Sequence, residues 1–345
     1  MSLFFVLLWH VQANDNVYLS NLLEHANKTK LYNHRYWHIL LHYKKDYLGR
    51  IESLIDDPNF FLAPDGKVNP KSELESTIRI LFNNNIEKTD PRICQFIARY
   101  TWLTEQLNID ASKVPIFDCE QIQNIKVKSA SLAFPTYYMN NPASMFGHTL
   151  LIIETQYPNK LLNHAVNYAA MTNETNGFVF AYKGIFGLFD GYYSILPYYK
   201  KIQEYSDINQ RDIWEYQLNL TETELKRMIL HIRELEKIST KYFFFSENCS
   251  YNLLFLLEAA RPQLKLTDKF GPFVIPIDTV KVVKKSGLIT KTVYRPSKAT
   301  KIKNIYKELN PTNKELANNI LQGKQKVQTL LNIDMDHEQK IRIND

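Results

Sequence analysis

The sequence predicts an α+β protein: a helical N-terminal half leading into an antiparallel sheet, with a helix packed on that sheet. Apolar residues recur at helical spacing from Val17 to about Leu103. After Pro115 the pattern changes to short β-branched and aromatic runs separated by turn residues. Two helix starts then follow, one at Thr221 and one at Cys249.

A chain of 345 residues that is 45% hydrophobic and 13% aromatic has ample material for a core. Its net charge of +6 is too small an excess to argue for nucleic acid, and no nucleic-acid-binding signature is present in the sequence. An anionic membrane surface is the more natural partner for a basic face.

The first element is the apolar run Met1-Ser-Leu-Phe-Phe-Val-Leu-Leu-Trp9, followed by Val11-Gln-Ala13. It reads as a short signal peptide over 1–13, and the protein is therefore expected to be exported. No Lys or Arg precedes the run, so an uncleaved anchor or a buried helix are the other readings. Residues 14–118 form a helical region, with apolar periodicity around Tyr36–Leu41 and Leu74–Leu81. Between these stretches, Phe60-Phe-Leu-Ala-Pro-Asp-Gly66 is a turn, and Pro70 opens the next helix. A further helical piece follows Pro91 and carries Cys94, Arg99 and Trp102. His34, His38 and His42 stand at helical spacing, but no carboxylate completes a ligand set, and Trp37, Leu40 and Leu41 need a core. Neither a metal nor a cofactor is expected.

Three cysteines in an exported chain suggest one bridge and one free thiol. Cys94 and Cys119 are close in sequence and form the natural pair, a bridge worth about 3 kcal/mol by loop-closure entropy. Two ordinary buried thiols are the alternative.

The region 119–290 carries the strand signals, at Lys126–Phe134, His148–Ile153, His164–Ala170 and Gly177–Tyr182. The glycine- and aromatic-rich stretch from Lys183 to Tyr199 reads as a pocket-lining loop or hairpin, or else as a plain core hairpin. Thr221-Glu-Thr-Glu224 is a capping box, and Leu225, Met228, Ile229, Ile232 and Leu235 then define a helix with one face on the sheet. Between Asp278 and Glu308 lysines accumulate without an acidic residue, and 291–345 reads as a basic, peripheral, partly ordered tail.

Two segments carry chemistry. In Ser246-Glu-Asn-Cys249-Ser-Tyr251 the thiol precedes the apolar run Asn252–Ala260, which places it in the first turn of a buried helix, where orphan N–H groups and the helix dipole favour a thiolate. In Ser144-Met-Phe-Gly-His148-Thr149 the imidazole stands at the start of a buried strand, and Gly147 permits close backbone approach. Structural roles for a lone Cys and a lone His are the bland alternative. If the fold joins them, His148 is the base and Cys249 the nucleophile.

Seven segments in order resemble the motifs of one bacterial family. They are Phe60–Gly66, Cys94–Leu103, Pro142–Thr149, Ala165–Ala170, Arg211–Tyr216, Glu247–Tyr251 and Pro276–Thr279. The family is the one named for the N-terminal periplasmic domain of the Lnb lipoprotein N-acyltransferase. The resemblance implies a circularly permuted papain-like fold, related to the NlpC/P60 and lecithin:retinol acyltransferase group, with His before Cys. It implies Cys249 as nucleophile, His148 as general base and the Cys249 N–H as oxyanion donor. Asn167 is expected to orient the imidazole, with His164 as its rival, since the two face opposite sides of an alternating strand. Ser144, Gly147, Asn248, Tyr168 and His164 are the expected supporting or substrate-binding residues.

The function this implies is a periplasmic thiol acyltransferase or hydrolase acting on lipid or lipoprotein acyl groups at an anionic membrane surface. The rivals are a thiol peptidase or amidase of cell-wall peptides, which would leave lipid untouched, and a catalytically silent binding module, which would tolerate Cys249→Ala.

Overall fold

The computed structural model describes residues 17–46, 48–83, 90–109, 119, 127–136, 147–155, 163–174, 176–326 and 328. The apolar segment read as a signal peptide lies outside them, as does Ser144.

The N-terminal region begins with a helix over 17–28 (α1) and continues through α2 (Arg35–Leu40) into a small hairpin of β1 (Tyr43–Lys45) and β2 (Ile51–Ser53). Helical periodicity does not disclose this hairpin, because its strands are only three residues long and its turn is made by Asp46, whose side chain accepts from the Leu48 and Arg50 N–H groups. Pro70 opens α3 (Pro70–Leu81) behind an Asn69 cap, and Pro91 opens α4 (Pro91–Gln95) behind an Asp90 cap, as the sequence predicts. The next helix is α5 (Ile97–Gln106). Cys94 and Cys119 are joined in a disulfide.

The histidine stripe is spent on structure. His34 caps α2 through its Nδ1, and His38 bonds the Tyr32 carbonyl. His42 is fully buried, stacked on Phe255 and bonded to His231.

The core sheet contains β3 (Val127–Pro135), β4 (Leu150–Thr155) and β5 (His164–Ala170). The sequence predicts a strand over Gly177–Tyr182; the chain instead forms a helix, α6 (Gly177–Ile185). Asn176 decides this by accepting from the Phe178 and Val179 N–H groups, so its cap overrides the β propensity of the aromatic run. The following stretch is no loop: β6 (Phe189–Pro197) lies between β5 and β8, then α7 (Tyr198–Ile202) runs on as a π-helical turn, Gln203–Ile208.

Next come β7 (Ile213–Leu218), α8 (Glu222–Leu235) with the predicted capping box, β8 (Ser239–Tyr242) and α9 (Cys249–Ala260). After α10 (Pro276–Lys285), β9 (Ile289–Arg295) pairs with β7, so the sheet continues past residue 290. The basic stretch begins in β9 and continues as helices, α11 (Lys298–Glu308) and α12 (Pro311–Leu321), capped by Ser297 and Asn310. These caps form helices where apolar periodicity is sparse.

The seven strands run in the order β8-β6-β5-β4-β3-β7-β9, with antiparallel neighbours throughout. Alternation splits their residues between two faces. Leu132, Leu151, Ile153, Val166 and Tyr168 face α8 and α9, in a core shared with α2 and α5 of the N-terminal region. Ala133, Leu150, Ile152 and Ala165 face Tyr198 and Tyr205 on the other side. The protein is thus α+β, with one continuous apolar cluster joining its helical and sheet halves. No helix among the described residues is long and apolar enough to cross a membrane.

Candidate active site

Cys249 opens α9, and the local sequence shows why. The Asn248 side chain accepts from the Ser250 and Tyr251 N–H groups at 3.2 and 3.3 Å and donates to the carbonyls of Phe244 and Val274. This buried cap fixes the helix start, while the wholly buried run behind it anchors the helix in the core. The thiol is 3% exposed. The backbone N–H groups of Thr149, Ser250 and Cys249 itself and the Tyr242 hydroxyl lie around it and favour the thiolate. Burial and the neighbouring Cys249 hold the Tyr242 hydroxyl well above its usual range.

The contact from Thr149 brings the histidine segment onto the cysteine helix. Gly147 makes the approach possible: its φ is +85°, and a Cβ there would lie 2.7 Å from the Phe134 ring. His148 follows, just before β4, partly exposed, with its Nε2 bonded to the Asn167 Oδ1 at 2.6 Å. The amide oxygen can only accept, so Nε2 carries the proton and Nδ1 keeps the lone pair of a base.

Burial pushes the Cys249 thiol up to about 11, against the lowering effect of the N–H groups and hydroxyl around it. His148 is pushed down to about 4, first by burial and then by the charges of Lys201 and Arg211, with Asn167 opposing. At neutral pH the resting groups are a thiol and a neutral imidazole. Desolvation thus opposes the helix-terminal N–H groups that favour a thiolate.

Residues 118–286 match the family described as the Lnb N-terminal periplasmic domain. The chain carries an Lnb N-terminal periplasmic domain. Residues 29–106 match a second family, described as a domain of unknown function (DUF7843). No curated protein and no solved structure matches the chain.

Of the residues expected to support the site in this Lnb-type domain, Gly147 and Asn248 sit as described, and Asn167 meets His148. His164 does not join them. It is exposed and pairs with Ile153 and Pro197 at the start of β5, where alternation turns it to the face opposite Asn167. Tyr168 also faces away from Asn167, with its ring 4.9 Å from Tyr193 and 5.8 Å from Tyr242, so it supports the site from beneath through Tyr242.

Tyr242 is the residue that sequence reading misses. It heads the run Tyr242-Phe-Phe-Phe245, which resembles any core strand, and nothing in its spacing points to the thiol. Its hydroxyl joins the Cys249 N–H among the polar groups around the thiol. The Thr149, Ser250 and Cys249 N–H groups and the Tyr242 hydroxyl are the donors grouped around the sulfur.

Among the described residues no group of three His, Cys, Asp or Glu is placed to hold a metal ion. A cavity of about 920 Å³ opens beside this segment, lined by Lys44, Glu52, Asp56, Lys67, Lys241 and Glu247, among others, but not by Cys249, His148 or Asn167. Glu247 is held up to about 7 there, by burial first and then by the charges of Asp56 and Glu52, against Lys67. The folded protein therefore keeps a proton that the unfolded chain releases between about pH 4.5 and 7. The stability this contributes is full below that window and is lost as pH rises through 7. Glu247→Gln is accordingly expected to raise stability at pH 8, by on the order of 2 kcal/mol, and to lose that advantage at pH 5. Melting curves of both proteins at the two pH values check this.

Proposed function

We propose that this chain is a periplasmic thiol acyltransferase or hydrolase that works through a thioester on Cys249, in a circularly permuted papain-like arrangement, on lipid or lipoprotein acyl groups. The observation that carries the reading is the His148 Nε2 bond to Asn167, which leaves Nδ1 as a base while the neighbouring Thr149 N–H touches the thiol.

In the first step His148 Nδ1 takes the thiol proton as sulfur attacks the ester carbonyl. The oxyanion forms near the Thr149 N–H and the Tyr242 hydroxyl. Collapse expels the alcohol, which takes the proton from His148, and leaves the acyl group on sulfur. In the second step an amine or a water attacks the thioester, losing its proton to His148, and the amide or acid departs as the thiol is restored.

The surface beside the site favours a lipid over a wall peptide. Phe178 (91% exposed) and Tyr182 (59%) on α6 and Phe186 (58%) at its C-cap are spaced one helical turn apart. An amphipathic surface helix normally turns its apolar stripe inward; this one turns it outward, which suits insertion at a bilayer interface. Phe244 connects α6 to the cysteine segment: its N–H bonds the Gly184 carbonyl, and its own carbonyl holds Asn248. The variant Phe178→Glu/Phe186→Glu is expected to weaken binding to phospholipid vesicles by about tenfold or more, with an unchanged melting temperature. Co-sedimentation measures it, and equal binding by wild type and variant would exclude α6 as the docking element.

The test of the chemistry is incubation with labelled phospholipid or a lipoprotein peptide, followed by intact mass measurement. The expected result is lysophospholipid release and a hydroxylamine-labile acyl adduct on Cys249. Cleavage of cell-wall peptide with intact lipid would replace this reading with the amidase one. Unreacted lipid and peptide, with unchanged cellular function in Cys249→Ala, would favour the binding module.

A further inference from the structure

Beside the candidate catalytic pair lies a buried positive charge that the chemistry above does not use. Arg211 is 4% exposed, and its Nε and Nη2 donate to the carbonyls of Thr136 and Pro135 at the end of β3. No carboxylate among the described residues pairs with the guanidinium, and Nη1 makes no hydrogen bond to any of them. Unpaired buried charge is costly, so a partner is to be expected.

The guanidinium carbon lies 5.0 Å from the centre of the Tyr205 ring. The Lys201 ammonium lies 5.4 Å from the same ring, and the His148 imidazole 6.2 Å from it. Two cations and the proposed base therefore gather around one phenol. Glu204 pairs with Lys201 at 2.7 Å and acts on Arg211 only from a greater distance, so among the described residues the guanidinium has no carboxylate in contact. Both cations are close enough to depress the basicity of His148.

We infer that Arg211, assisted by Lys201, forms an anion subsite beside Cys249 and His148 that holds the phosphodiester of a glycerophospholipid acyl donor. The substrate class rests on the proposed function; the anion subsite rests on Arg211 itself. A guanidinium with one free edge suits a phosphate oxygen, and a nearby ammonium suits a second. Holding the head group there would orient the ester with respect to the thiol, and it would favour phosphoglycerides over uncharged glycerides. Arg211 is in this sense a specificity-determining residue.

The experiment has a binding arm and a kinetic arm, each on wild type, Arg211→Gln and Lys201→Gln, with folding checked by thermal melt. In the binding arm the His148 ring resonance of ¹³C-histidine protein is followed during titration with glycerol 3-phosphate, inorganic phosphate and glycerol. Saturable shifts with glycerol 3-phosphate are expected in wild type, with about tenfold weaker binding in Arg211→Gln and a smaller loss in Lys201→Gln. Equal affinity in wild type and Arg211→Gln would overturn the subsite. Inorganic phosphate binding as tightly as glycerol 3-phosphate would overturn the head-group assignment.

In the kinetic arm, the ratio of kcat/KM for phosphatidylglycerol to that for diacylglycerol is expected to fall about thirtyfold in Arg211→Gln. A fixed ratio with both values reduced would mean that Arg211 only clamps β3, which overturns the proposal. If wild type cleaves neither lipid, the acyl-transfer reading fails, while the binding arm still decides the subsite. Should Arg211→Gln fail to fold, Lys201→Gln carries both arms, and its loss of neither affinity nor ratio would count against the proposal.

Discussion

Cys249→Ala is expected to reduce acyl release by a factor of about 10⁴ or more, and His148→Ala by about 10²–10⁴, with the double variant no worse than Cys249→Ala alone. The two groups act as a unit, because sulfur attacks only as the imidazole takes its proton. Asn167→Ala should cost less, about tenfold to a hundredfold, because it removes the bond that holds the ring at 2.6 Å and in one tautomer, not a reacting group. The pH dependence has a definite sign. With His148 held down to about 4 and Cys249 up to about 11, kcat/KM should fall below about pH 4, where the imidazole is protonated and cannot act as a base. It should be level through neutrality. A resting thiolate would instead alkylate with iodoacetamide as fast at pH 6 as at pH 9, and that result would contradict the neutral pair.

Arg99→Met is expected to destabilise the fold by about 3–5 kcal/mol, a large part of the stability of an ordinary domain. Arg99 is fully buried between two carboxylates, Glu73 of α3 at 3.0 Å and Glu234 of α8 at 3.5 Å, and it donates to the Phe60 carbonyl. Its guanidinium lies over the rings of Phe60 and Phe96. Glu73 also accepts from the Leu62 and Ala63 N–H groups, and a Cβ at Gly66 would meet its carboxyl oxygen at 2.3 Å. Removing Arg99 strands two buried carboxylates. A Glu73→Gln/Arg99→Met double variant should therefore be less damaged than the two single effects predict by addition. Denaturant melts of the four proteins measure the coupling. Because α3 and α5 fall in the 29–106 match and α8 in the 118–286 match, this network ties the two matched regions together. The 118–286 segment expressed alone should then be unstable.

Local signals were legible wherever a cap or a strict period dominates. Thr221 and Glu224 form the capping box, and the apolar stripe of α8 is buried as its spacing predicts. Asn248 before an apolar run marks the start of α9 and thereby the position of Cys249. Period-2 alternation on β5 separates Asn167 from His164, and the structure selects Asn167. The Gly177–Tyr182 run misleads because β propensity is decided by neighbours, and here an Asn176 cap and exposure on a helix override it.

The pairing of Phe60–Gly66 with Arg99 illustrates the limit from the other side. Each segment stands out in the sequence, but nothing local says that one cradles Glu73 while the other neutralises it. Tyr242 is similar: its identity as the partner of the thiol depends on β8 ending over the start of α9, a contact between elements.

The sequence by itself determined the α+β class and the helix that presents Cys249, which follow from caps and periods along the chain, and the Lnb-type domain, which follows from the resemblance of seven ordered motifs. The tertiary structure alone brought Asn167 within reach of His148, gathered Tyr242 and the Thr149 N–H around the thiol, and left Arg211 without a carboxylate partner among the described residues. It also sets the direction in which the thiol and the imidazole are shifted. Desolvation and charge act through space, and both depend on which segments the fold packs against one another.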